Sequence, residues 1–180
     1  MIAVFVILAA VAVLLAVVAT RPDQFRIERS TTIAAPPEVI FPLVSDFHQW
    51  ARWSPWEKLD PAMKKTFSGA PAGVGAGYAW DGNSKAGAGR MSMTESKPSE
   101  RVAIQLEFLR PMQATNLTEF ALKPAAGGAA VNWAMSGHNN FMTKAFGLFV
   151  NIEKLVGKDF EEGLASLKRL SETEAKSAGR

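Results

Sequence analysis

The chain opens on an unbroken apolar run and then changes to short stretches in which apolar and polar residues alternate. Residues 1–19 carry no charged or polar side chain. At 1.5 Å per residue such a run makes a helix of about 28 Å, close to the roughly 30 Å hydrocarbon core of a bilayer. Thr20, Arg21, Pro22 and Asp23 end it sharply. Residues 25–34 then read as a first strand, stopped by Pro36 and Pro37. Pro37 suits the first turn of a short helix over residues 38–44, which Pro42 should shorten or kink. From residue 64 to 135 the period is two. Val102, Ile104, Leu106 and Phe108 alternate with Ala103, Gln105 and Glu107, the cleanest half-buried strand. Residues 65–68, 78–80, 90–94, 118–122 and 131–135 read as further strands, with a hairpin at Gly127-Gly128. Residues 141–171 then change to helical spacing. Phe146, Phe149, Val156, Phe160, Leu164 and Leu167 share one face, and Lys154, Lys158, Glu161, Glu162 and Arg169 the other.

Short turns between many strands require an antiparallel sheet, and a long helix with one apolar stripe must lie against something. The pattern therefore predicts an α+β domain over residues 24–171, a curved sheet wrapped on the long C-terminal helix. An anchor over residues 1–20 precedes it and a polar, fraying tail over 172–180 follows. Two positions disturb the helix stripe. Gly163 leaves a gap, which means either close packing or a hollow. Glu153 falls near the stripe's centre, so it either sits at a solvated edge or needs a partner inside a cavity.

Between sheet and helix the inward residues are expected to be Trp80, Met91, Met93, Phe108, Phe120, Trp133 and Met135. Phe149, Glu153, Val156 and Phe160 face them from the helix. The same residues serve a filled core or an apolar pocket, and the Met and Trp content suits an adaptable pocket. Trp50, Trp53 and Trp56, three of the five tryptophans, crowd one loop. That loop either packs against the helix or forms the rim or gate of a pocket, with Trp53 and Trp56 on the ligand.

Composition narrows the chemistry. The net charge of +3 is scattered, with no Lys/Arg run, which argues against nucleic-acid binding. The chain has no cysteine, which excludes disulfides, thiolate catalysis and Cys-built zinc sites. His48 and His138 stand alone, too far apart in sequence to suggest a metal site, and each reads as structural or surface. The glycines at 73, 75 and 77 lack the strand-to-helix context of a dinucleotide fingerprint and read as a turn. No cofactor is expected. Three polar residues are candidates to face a cavity: Glu153, Arg90 and Asn116. A carboxyl buried in an apolar pocket has a raised pKa and can act as general acid or base, so Glu153 is the weak catalytic candidate. Arg90 is out of phase with Met91 and Met93 and should point outward.

Three stretches carry a family resemblance. They are residues 29–41 (RSTTIAAPPEVIF), residues 50–56 (WARWSPW) and residues 156–168 (VGKDFEEGLASLK). With them the domain resembles the START-like (SRPBCC) superfamily, and within it the polyketide cyclase/dehydrase-like proteins that carry an N-terminal membrane helix. The resemblance implies the helix-grip fold. It also implies three functions in competition. The preferred one is a membrane-anchored binder or carrier of a hydrophobic small molecule, lipid or polyketide-like. The others are a cyclase- or dehydratase-type enzyme and an interaction module of the co-chaperone type. No catalytic set is carried over with it.

The apolar N-terminal run has two readings, a single-pass anchor or a signal peptide cut before Thr20. No Lys or Arg precedes the run, which favours the anchor. Arg21, Arg26 and Arg29 after it point to a cytoplasmic domain under the positive-inside rule.

Overall fold

The alternating stretches pair as a single antiparallel sheet in a computed structural model that describes residues 2–178. The apolar run is α1 (Ile2–Ala19), followed by β1 (Gln24–Ile33) and the kinked α2 (Pro37–Ser45). Two 3-10 turns, Phe47–Arg52 and Pro55–Lys58, lead to β2 (Lys64–Gly69), β3 (Ala76–Asp81), β4 (Ala88–Lys97), β5 (Arg101–Arg110), β6 (Ala114–Ala125) and β7 (Gly128–His138). The chain closes with α3 (Phe141–Phe146) and α4 (Ile152–Ala178). Sheet order is β1-β7-β6-β5-β4-β3-β2, so the first strand closes onto the last. The register pairs Thr118 with Met135, Phe120 with Trp133 and Leu122 with Val131, which sets the inward residues of β6 and β7 side by side. Register shifts in β4, at Ala88/Gly89 and Met93/Glu95, add the local twist that curls the sheet. The result is the curved sheet on a long helix that the periodicity predicts, the helix-grip architecture that the resemblance implies, with α4 lying across the sheet.

An aromatic stack ties the two layers. Phe120 on β6 stacks on Trp133 on β7 at 4.8 Å, and Trp133 stacks nearly parallel on Phe160 of α4 at 4.2 Å. Trp53 meets Phe120 and Trp133 edge-on, at 5.9 and 5.5 Å. The loop over residues 50–56 is thus part of the core rather than a gate. Trp50 and Trp53 are buried, and their indole N–H groups donate to the carbonyls of Val44 (3.2 Å) and Leu43 (2.8 Å). Satisfying those donors inside is what lets so much indole be buried. Gly163 answers the gap in the stripe. A Cβ there would lie 2.6 Å from the Trp133 ring, so the glycine exists for close packing.

Two features depart from the expected helix. It is broken into α3 and α4 by residues 147–151, because two asparagines start two helices. The Asn140 side chain accepts from the Thr143 N–H, and the Asn151 side chain from the Lys154 N–H, both at 2.9 Å. At the other end α4 does not fray after Glu172 but runs to Ala178. Glu172 accepts the Ala34 N–H at 3.0 Å and Glu174 pairs with Arg52, which ties the tail to the domain. Met1 of the expected anchor and residues 179–180 of the expected tail lie outside the described residues.

Gly163→Ala should lower stability by about 1–3 kcal/mol through overpacking against Trp133, read from chemical denaturation in mild detergent. A second variant tests the helix's half-buried acid. Burial holds the Asp159 carboxyl above its ordinary value of 3.8. A raised folded-state pKa favours the fold below the unfolded value and loses that contribution as pH rises through the folded value. Asp159→Asn should therefore raise the melting temperature at pH 7, and the gain should vanish in acid below about 3.8.

Candidate functional site

The aromatic stack fills one part of the space between sheet and helix, and the other end stays open. A cleft of about 820 Å³ lies between strands β1, β5, β6 and β7, the segment after β7, and the first turns of α4. Its apolar wall comes from Phe25, Ile27, Phe108, Met135, Ile152 and Val156. These are side chains of one face of the strands plus the start of the α4 stripe, so the cleft continues the core rather than interrupting it.

Polar groups enter from the rim and at one buried point. Asn116 is buried on β6, in line with the inward Thr118 and Phe120. Its amide donates to the Met135 sulfur at 3.7 Å, a weak acceptor. Gly137 opposite leaves the space that the carboxamide occupies. Asn116 is therefore an underused hydrogen-bonding group on an apolar wall. Four cations reach the cleft: Arg21, Arg26, Arg110 and Lys144. Arg26 pairs with Glu28 (3.0 Å) and Glu119 (3.2 Å), Arg110 with Asp81, and Lys144 with Asp23. The Lys144 hydrogen bond and charge hold the Asp23 carboxyl below the usual carboxylate range. Arg21 has no ion-pair partner among the described residues.

Of the residues expected to face a ligand, Phe108, Asn116, Met135, Phe149, Glu153 and Val156 line the cleft. Trp53, Met93, Phe120, Trp133 and Phe160 are packed in the core, away from it. Met91 is buried beside Tyr78, its partner on β3. Trp56 lies edge-on to Trp133 and Phe160, at 5.4 and 6.1 Å. Trp80 stacks on Tyr78 and donates to the Ala86 carbonyl at 3.0 Å. Burial pushes the Tyr78 hydroxyl pKa far up, and the proton is donated to Glu57 at 2.8 Å.

Glu153 sits at a solvated edge, its side chain 59% exposed, and the partner it has is Arg29 of β1 at 2.9 Å. Arg29 also holds Glu161 at 2.7 Å. Gly157, between the two acids on α4, leaves room for the guanidinium, which a Cβ there would strike. Arg90 is turned outward to Glu107 (2.6 Å) and holds that carboxyl below its usual range. The sequence reading missed Phe25, Ile27 and Ile152 as cleft residues. The alternation of β1 carried the first two, but nothing local says which end of a strand meets a hollow.

Residues 24–172 match the family described as "Polyketide cyclase / dehydrase and lipid transport". The chain belongs to this family. Solved structures carry the same architecture. The di-domain ARO/CYC StfQ from the steffimycin biosynthetic pathway aligns with a TM-score of 0.62 at 9% identity, over 86% of this chain and 53% of that one. The Aha1 dimer from Colwellia psychrerythraea gives 0.60 at 18% identity, over 82% and 96% of the two chains. Protein CV1439 from Chromobacterium violaceum gives 0.57 at 19%, over 84% and 99%. At such identities the likeness is one of fold. A search of the curated proteins finds no match.

Both acids on Arg29 are more than half exposed, so water takes over when the cation is removed. Arg29→Met should cost about 1 kcal/mol or less, read from the denaturation midpoint. A loss of several kcal/mol would mean that the pair is buried and holds the helix onto β1.

Proposed function

We propose that the protein binds and carries a hydrophobic, oxygen-bearing small molecule, lipid or polyketide-like, in the cleft between the sheet and the start of α4, and does so at a membrane. The observation that carries this reading is the cleft itself. Its volume lies within the range of roughly 300–1,000 Å³ usual for small-molecule sites. Its wall is apolar, and Asn116 supplies one buried polar group with a weak partner, suited to a carbonyl or hydroxyl on the ligand. Family membership, whose description includes lipid transport, supports the ligand class.

The membrane part of the proposal rests on α1. It is 18 residues long and apolar on every side, with almost all of its surface exposed. A helix that is apolar all round and unburied has lipid as its natural solvent. We read it as a single-pass anchor rather than a cleaved signal, with the domain on the cytoplasmic side because Arg21, Arg26 and Arg29 follow the span. An apolar ligand is concentrated in the bilayer, and the anchor keeps the cleft beside that supply.

A cyclase- or dehydratase-type enzyme is the second reading, favoured by the likeness to StfQ of the steffimycin pathway. Such chemistry needs a proton-transfer group at the ligand, and Glu153 and His138 are titratable groups on the cleft wall. Glu153 is held at the rim by Arg29 instead of in an apolar pocket, so binding is the better-supported role.

Native mass spectrometry of the full chain extracted from membranes tests this, followed by analysis of what dissociates. An apolar adduct is expected. Val156→Trp should narrow the cleft and weaken the adduct while circular dichroism stays unchanged. Asn116→Leu should weaken retention by about five-fold, the worth of one hydrogen bond of about 1 kcal/mol, and Glu153→Gln should leave it unaltered. A bare wild-type mass would overturn the binding reading. Loss of turnover on a polyketide-like substrate in Glu153→Gln, with the adduct retained, would favour the enzyme.

A further inference from the structure

We propose that α3 and residues 147–151 form a second membrane contact, seated in the lipid surface beside α1, so that the cleft opens onto the bilayer interface. This rests on the reading of α1 as an anchor and goes beyond it by naming the element of the domain that meets lipid.

The depth of α3 follows from what it packs on. α3 lies against α1, and Val18 near the end of α1 is 1% exposed. At 1.5 Å per residue α1 is about 27 Å long, so its last turn marks the level where hydrocarbon gives way to headgroups. A segment packed on that turn lies at the same level.

The surface of the segment fits that level. Phe141, Met142 and Phe146 are 51%, 64% and 45% exposed, and Phe149 in the following loop is 84% exposed. At about 100° per residue the first three fall within about 140° of one another on α3. Thr143 and Lys144 fall on the other side and line the cleft. One side of this short element therefore faces the ligand space, and the other presents a cluster of large apolar side chains without cover. Such a cluster on a water-facing surface marks a contact. On another lip of the cleft, Met112 is also exposed. Arg21, the one of the four cleft cations without an ion pair among the described residues, stands at the end of α1 on the cleft rim, where a headgroup phosphate would meet it. The apolar lips, the end of α1 and the free cation converge on one occupant, a phospholipid surface.

The chain has no cysteine, so single labels are simple to place. Met142→Cys, Phe149→Cys and, as control, Lys64→Cys on β2 at the far edge of the sheet would each carry bimane. All three positions are exposed. The full-length variants go into phosphatidylcholine vesicles whose acyl chains carry doxyl quenchers, and floated vesicles are measured. Quenching several-fold stronger at 142 and 149 than at 64 is the expected result. Quenching no stronger than at 64 in protein that floats would overturn the inference and leave the anchor standing. Protein that does not float would overturn both. A blue shift at 142 and 149 without lipid quenching would also overturn it, and would assign the patch to a protein partner or a second copy.

Discussion

The contact on which the rest depends is the sandwich of Trp133 between Phe120 and Phe160. Two rings come from adjacent strands in register and the third from α4, so one stack fixes both the sheet's pairing and the helix's seat. Its spacing requires Gly163, because any side chain there would enter the Trp133 ring. Once these rings are placed, the centre of the sheet-to-helix space is full, and Trp53 and Trp56 close it edge-on. Open space is left at one end, lined by β1, β7 and the segment before α4.

That explains which parts of the molecule were legible in the sequence. Strand alternation over Val102–Phe108 and the helical stripe through Phe160, Leu164 and Leu167 are local signals with a fixed period, and they became β5 and α4. The stop at Pro36 and the hairpin at Gly127 are local too, the latter with φ of +79°. The candidate site was half legible. Inward-facing identity was readable for Trp133 and Met135 alike, but whether an inward residue meets another ring or a hollow depends on elements far away in sequence. Met135 and Asn116 face space because no aromatic from α4 reaches that end. Glu153 is the clearest case. Its place on the stripe left a solvated edge and a cavity both open, and the partner that decides it, Arg29, lies 124 positions earlier on β1, beyond any periodic signal. The helix break was visible in principle. Asn140 and Asn151 are both N-cap residues, and each opens its own helix.

The charged groups of the cleft are mostly paired with carboxylates. Arg26, Arg29, Arg110 and Lys144 are matched by carboxylates at the rim, which leaves the interior wall to Phe, Met, Ile and Val. An apolar guest thus displaces water without breaking an ion pair. The acids on Arg29 are solvated and contribute little to stability, whereas Lys144 is largely buried. The same wall begins where the membrane-length helix ends, so the cleft and the hydrophobic N-terminus are neighbours rather than opposite poles.

The fastening of α4 is unequal along its length. Its C-terminal half is held by Phe160, Leu164 and Leu167 in the core, by Glu172 on the Ala34 amide and by Glu174 on Arg52. Its first turns are held by Arg29 through two water-washed acids, and they follow a loop that is not helical. Mechanically this is a cantilever, clamped at one end and laced at the other. Ile152 and Val156 are the apolar contacts of the laced end, so the wall of the cleft and the aromatic clamp are fastened by different side chains of one helix.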